Sequence, residues 1–317
     1  MKIAVLYTGE LRTYETTLDY FKKNVLLNEN YHVFAVIQSN NNDNYENIIK
    51  ETIGENLKKL IIFDRNDRIW IDLRENLLEK MNISESWKNY LRNSGSMIEY
   101  YQMNLAYNCM NTYEQDNNIK YDYVIRFRTD TVLKDPINFN WMNYDNEQIK
   151  KILYNIKEKY KFENIISREV LDIFMNVFYN EKRIDYCINI NNNITSDFFN
   201  LIYHEDENNF INELNNYVKN GIFVISLRVN VIYFMKRELM DIINVLGLNY
   251  GNYIYKNDDY WFNAECQLVQ ICIENNIDFF TSTSDLEDKS LYEYNELNYF
   301  NNSELVDDKF SFLIKRY

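Results

Sequence analysis

Two short polar segments carry the residue types needed to hold an anion. The first is Thr8-Gly9-Glu10-Leu11-Arg12, directly after the apolar run at residues 2–7. A glycine there lets backbone N–H groups approach an anion, and a guanidinium one turn further on suits a diphosphate. The second is Arg126-Phe127-Arg128-Thr129-Asp130. Alternation along a strand puts Arg126 and Arg128 on one face, with Asp130 just past the strand end. Two guanidiniums and a carboxylate converging at one point would be costly unless an anion or a metal joined them. A diphosphate would satisfy the cations, and a divalent metal held by Asp130 would bridge the phosphate oxygens. The bland alternatives are a turn glycine with a surface cation in the first segment, and an internal ion-pair network around Arg126 and Asp130 in the second. Neither a Gly-x-Gly-x-x-Gly fingerprint nor a Walker loop is present.

These segments need elements to position them. Residues 2–7 read as a strand, followed by a tight loop and a helix running through Leu18 and Phe21. Residues 32–38 and 60–63 are continuous apolar runs of strand length, which suits strands covered on both faces. Residues 96–115 have helical spacing, with Ser96 as a candidate N-cap before Glu99, and residues 121–127 give a fourth strand. This alternation predicts an α/β fold with a mostly parallel sheet flanked by helices. In such sheets ligands bind outside the carboxyl ends of the strands, which is where both polar segments fall. Beyond that the pattern predicts a charged helical insertion over 146–220, a strand over 222–227, helices over 231–246 and 261–276, and a short strand over 277–280. The expected organisation is therefore a nucleotide-binding half at 1–145, the insertion at 146–220, and a half at 221–317 that completes the same fold.

Composition removes several function classes. With 34 Lys+Arg against 48 Asp+Glu the net charge is −14, and a nucleic-acid partner would want the opposite balance. Four scattered cysteines without a CxxC pair, and only two histidines, argue against a Cys/His zinc site and point to a reducing compartment. No stretch of about 18 apolar residues occurs, so no membrane span is expected. The N-terminal apolar run is too short for a signal peptide, and the expected location is the cytoplasm.

Taken together, Gly9-Glu10-Leu11-Arg12, Gln102 and the segment from Tyr121 to Asp130 resemble the nucleotide-sugar glycosyltransferases of GT-A fold, specifically a poorly characterised group found in giant viruses, algae and plants. The C-terminal half is similar to the same group through residues 227–233, Tyr250-Gly251, and Trp261-Phe262-Asn263-Ala264-Glu265-Cys266-Gln267-Leu268. The resemblance implies a UDP- or GDP-linked sugar donor over the N-terminal strands, with Thr8, Gly9, Arg12, Arg126 and Arg128 against the nucleotide and diphosphate. It implies Asp130 in place of the second aspartate of the usual Asp-x-Asp motif, as ligand to Mn²⁺ or Mg²⁺. Arg128 stands where that motif has its first acid, so a guanidinium could neutralise the diphosphate itself. The later motif would face a glycan or other hydroxyl acceptor, with Glu265 as the candidate general base and Tyr250, Asp259, Trp261 and Asn263 as candidate sugar contacts. Tyr260 belongs with these as an aromatic that could stack on a sugar ring. Two other classes stay open: an inert nucleotide- or carbohydrate-binding module, and a sugar-phosphate nucleotidyltransferase, for which the single Gly9 beside Glu10 is a poor loop.

Overall fold

The computed structural model describes residues 1–39, 44–133, 187–189, 219–227, 230–254, 259–282 and 312–314, with positions 136, 147, 212 and 216. The expected insertion at 146–220 lies almost wholly outside them. In chain order the elements are β1 (Ile3–Glu10), α1 (Tyr14–Asn24), β2 (Tyr31–Gln38), α2 (Tyr45–Ile53), β3 (Leu57–Phe63), α3 (Arg68–Lys80), α4 (Glu85–Asn93) and α5 (Ser96–Asn117). They continue with β4 (Tyr123–Arg128), β5 (Thr131–Leu133), β6 (Cys187–Asn189), β7 (Phe223–Leu227) and β8 (Ile232–Lys236). The last are α6 (Arg237–Ile243), α7 (Leu246–Asn249), α8 (Ala264–Glu274), β9 (Asp278–Ser282) and β10 (Phe312–Ile314).

Eight strands form one sheet in the order β3-β2-β1-β4-β8-β7-β9-β6, and β10 pairs with β5 separately. The strands β1 to β4 run parallel to one another. The first six residues of β1 are all buried, as a strand covered on both faces requires. β3, at the sheet edge, keeps only Phe63 buried. Two helix starts follow capping chemistry. Asp67 accepts from the N–H groups of Ile69 and Trp70 to open α3, and Ser84 accepts from that of Trp87 to open α4. Ser96, expected as a cap, is instead the first residue of α5, and Gly95 holds the cap position.

One element differs in kind from its sequence pattern. The helix expected over 231–246 opens as a strand: β8 pairs antiparallel with both β4 and β7, and only from Arg237 does the chain become helical. Ile232, Tyr233, Phe234 and Met235 are all buried, so this run has no solvent face to show a period. The outcome is a mixed sheet, parallel over its first four strands. A single apolar cluster spans both parts of the chain, from Ala4 and Phe34 through Met103 and Met110 to Tyr233, Leu268 and Phe279. Among the described residues no helix is long and apolar enough to cross a membrane.

Candidate functional site

The parallel register of β1 and β4 sets Leu6 opposite Arg126 and Thr8 opposite Arg128. The two polar segments named from the sequence therefore finish side by side. Gly9 and Glu10 are the last residues of β1, not a loop. Thr129 donates its N–H to the Thr8 carbonyl at 3.1 Å and its hydroxyl to the Glu10 carbonyl at 2.8 Å, which ties the two strand ends together. This explains the glycine: Gly9 has φ +137°, and a Cβ on it would meet the Thr129 hydroxyl oxygen at 2.4 Å. Gly9 is thus a close-approach residue, and α1 begins only at Tyr14, with Arg12 in the turn before it.

These strand ends form the floor of a polar cavity of about 480 Å³. Arginines reach it from the ends of three of the four parallel strands: Arg12 after β1, Arg65 after β3, and Arg128 at the end of β4. The end of β2 contributes Gln38, which accepts a hydrogen bond from Gln102 of α5 at 3.3 Å. Four carboxylates line the same space: Glu10 and Asp130 at the strand ends, Glu99 from the first turn of α5 and Glu265 from the first turn of α8. Of the residues proposed from sequence, Thr8, Gly9, Arg12, Arg126, Arg128, Asp130, Asn263 and Glu265 meet at this cavity.

Arg126 and Arg128 share a strand face but play different parts. Arg126 is 2% exposed; it donates to the carbonyls of Asn230 and Val231, and reaches Glu99 at 3.4 Å. Its guanidinium also lies 5.7 Å from the Tyr233 ring centroid, while its Nε is buried without a partner. Glu99 accepts a second bond from the Asn230 amide at 2.6 Å. Burial pushes the Glu99 carboxyl above its usual range; Arg126 and Arg128 pull it down, Glu265 pushes it further up, and the Asn230 bond pulls it down. Arg128 instead forms a two-pronged bond to Asp130, 3.0 Å from Nε and 2.6 Å from the second nitrogen. Arg12 bonds Glu10 at 2.8 Å in a more exposed pair.

The element Asn263-Ala264-Glu265-Cys266-Gln267 divides its work at the start of α8. Gln267, fully buried, accepts from the Gly251 N–H at 2.7 Å and donates to the carbonyls of Trp261 (2.8 Å) and Tyr253. It anchors the preceding loop while Asn263 and Glu265 face the cavity. Three other expected contacts lie elsewhere. Tyr250 is 1% exposed and donates its hydroxyl to the Phe262 carbonyl at 2.6 Å, so it is a core residue. Trp261 packs against the apolar cluster, and Asp259 is an exposed turn residue; neither lines the cavity. Asp258 and Arg228 lie outside the described residues.

Asp130 does not fit the expected role of metal ligand. Both of its oxygens accept from Arg128, and a hard cation at that carboxylate would displace or face a fixed guanidinium. Among the described residues no group of three or more His, Cys, Asp or Glu side chains is placed to hold a metal ion. Sequence reasoning had not named Glu99, Gln38, Arg65 or Asn230 as site residues. Glu99 was legible only as a first-turn helix acid, and the others as polar residues beside a strand or loop.

No family model matches the chain, and no curated protein does. Among solved structures, the mannosyltransferase Ktr4p from S. cerevisiae is similar at TM-score 0.33 and 13% identity, over 88% of this chain and 68% of that one. Mouse xyloside xylosyltransferase 1, in its apo form, is similar at TM-score 0.33 and 8% identity, over 93% of this chain and 92% of that one. Core-mannan synthase A (CmsA/Ktr4) from Aspergillus fumigatus, in a Mn/GDP form, is similar at TM-score 0.31 and 10% identity, over 88% of this chain and 72% of that one.

Proposed function

We propose that this chain is a glycosyltransferase that takes a sugar from a nucleoside-diphosphate donor and passes it to a hydroxyl acceptor. One observation carries the reading: a single cavity at the carboxyl ends of the parallel strands receives arginines from three strand ends and carboxylates from two helix starts. A diphosphate suits the first set and a reacting hydroxyl the second. In this reading Arg12 and Arg128 hold the diphosphate, and Arg65 closes the same side. Glu265 takes the proton from the acceptor hydroxyl as its oxygen bonds to the anomeric carbon. The bond from that carbon to the diphosphate breaks, and the departing charge meets the guanidiniums of Arg12 and Arg128, which Glu10 and Asp130 hold at the strand ends. Glu99, held by Asn230 and Arg126, positions the wall beside Glu265. The donor is a UDP- or GDP-linked sugar, and the charge on its diphosphate is neutralised by side chains of the chain itself.

Incubation with a panel of UDP- and GDP-sugars, followed by measurement of released nucleoside diphosphate, tests this. Slow hydrolysis of one donor is expected. Binding without turnover would leave an inert module, and pyrophosphate-dependent exchange of the nucleotidyl group would make the chain a nucleotidyltransferase.

A further inference from the structure

Exposed aromatic rings stand beside the cavity, and one of them, Tyr90, lines it. Trp87 and Tyr90 lie on α4, and Tyr260 lies in the turn before α8; they are 36%, 47% and 50% exposed. The Trp87 ring centroid is 5.7 Å from Tyr90 and 5.4 Å from Tyr260, edge to face in both cases, and 4.9 Å from the buried Phe262 beneath. Single exposed apolar side chains are ordinary, but two rings packed edge-on against a third form a patch that calls for an occupant. This patch runs into the cavity. Tyr90 lines both, Asn93 at the end of α4 lines the cavity, and Asn263 and Glu265 follow Tyr260 along its wall.

Size and surroundings decide between a protein partner and a sugar. With rings of this kind contributing ~150–250 Å² each when fully covered, the exposed part is on the order of 300 Å². A stable protein interface takes about 800 Å² from each partner. A sugar ring needs far less: its C–H face is apolar and flat, and its hydroxyls project at the edge toward hydrogen-bonding groups. Here Tyr90 lines the cavity together with Asn93, Asn263 and Glu265, which supply amides and a carboxylate beside the aromatic patch.

We propose that Trp87, Tyr90 and Tyr260 form a carbohydrate subsite, so that the acceptor is itself a glycan and one of its rings packs its C–H face against an exposed ring of this patch. Its role as acceptor rests on the glycosyltransferase reading; the binding of sugar does not. The arrangement puts a hydroxyl of the stacked ring, or of the residue next to it, toward Glu265.

Saturation-transfer NMR with methyl glycosides of glucose, galactose, mannose, xylose and N-acetylglucosamine, and with maltose, cellobiose and lactose, reads the stacking directly. At least one of these sugars is expected to receive saturation on the protons of one ring face, with affinity falling at least tenfold in both Trp87→Ala and Tyr260→Ala. Trp87→Ala also uncovers Phe262, so a thermal melt accompanies it; Tyr260→Ala leaves Trp87 over Phe262 and is the second reading. Affinity for UDP and GDP, measured by calorimetry, is expected to stay within twofold in both variants. If no sugar of the panel binds, or if one binds both variants as tightly as it binds the wild type, the inference is overturned. Sugar binding through the aromatics with neither UDP nor GDP bound would uphold the subsite and overturn the donor site, and the opposite pattern would do the reverse.

Discussion

Glu99 and Glu265 enter the cavity from two helix starts, and their environments separate their roles. Glu99 is 15% exposed, with an oxygen each on Asn230 and Arg126, and burial raises its carboxyl above the usual value. A raised folded-state value means that stability is full at acid pH and is lost as pH climbs from the ordinary glutamate value of 4.5 through the folded value. Glu99→Gln removes that loss. The melting temperature of the variant minus that of the wild type is therefore expected to rise from pH 4.5 to neutrality, and a flat or falling difference would refute the desolvated carboxyl. Glu265→Gln is expected to leave donor affinity unchanged while transfer drops by roughly 10²- to 10⁴-fold, the usual share of general base catalysis; single-turnover kinetics separates the two. Arg12→Ala and Arg128→Ala should each weaken nucleoside diphosphate binding by roughly 1.5–3 kcal/mol, with Arg12 at the low end because of its exposure, and the bare nucleoside much less. Equal losses for both ligands in calorimetry would assign the arginines to the base pocket or to the fold. Since Asp130 is already paired with Arg128, EDTA is expected to change diphosphate affinity by less than about threefold. A larger loss would show that a cation supplements the guanidiniums.

Among the elements, α5 links the cavity to the rest of the core. Glu99 stands in its first turn, Gln102 one turn on, and Glu114 near its end bonds Arg237 of α6 through three contacts of 2.7 to 3.1 Å. Its side faces α7 so closely that a glycine is required. A Cβ at Gly247 would lie 2.4 Å from the Asn104 Cβ and 2.6 Å from the Tyr100 carbonyl oxygen. Gly247→Ala must push the two helices apart and should cost roughly 1–3 kcal/mol, the range for overpacking. Urea denaturation with an unchanged m-value checks it, and wild-type stability would mean that α7 moves away freely. The same scale shows why β8 looked helical in the sequence. An apolar run buried on every side shows no period, and only its pairing with β4 and β7 distinguishes strand from helix.

On the scale of the molecule, the parallel strands that build the cavity floor are not self-sufficient. β4 has β1 on one side and β8 on the other, and the apolar cluster around α5 includes Tyr233, Met240, Leu268 and Phe279 from the far end of the chain. A fragment ending at residue 133 would leave β4 as an open, apolar edge and half of that cluster in water. Such a fragment is expected to lack near-UV circular dichroism and to aggregate in size-exclusion chromatography. A monomeric fragment with cooperative unfolding would show instead that the first four strands fold alone.

The sequence by itself was enough for the α/β alternation, because strands buried on both faces read as continuous apolar runs at residues 3–7 and 33–37; the similar run at 60–63 instead lies in the edge strand β3, where only Phe63 is buried. It also placed Arg12, Arg128, Asp130 and Glu265 at element ends, where turn and cap residues interrupt hydrophobic patterning. Which of these meet was decided by tertiary structure. The register of β1 against β4 turned Gly9 from an anion-loop glycine into the point where Thr129 crosses, and long-range packing brought Glu99 and Asn230, far apart in sequence, together against Arg126. Tyr250 and Trp261 had the right chemistry for a sugar, yet the core buried the first and packs against the second, whereas Tyr90, unremarked in the sequence, lines the cavity. Exposure and pairing depend on neighbours far along the chain, and a local pattern of residue types carries no record of distance in space.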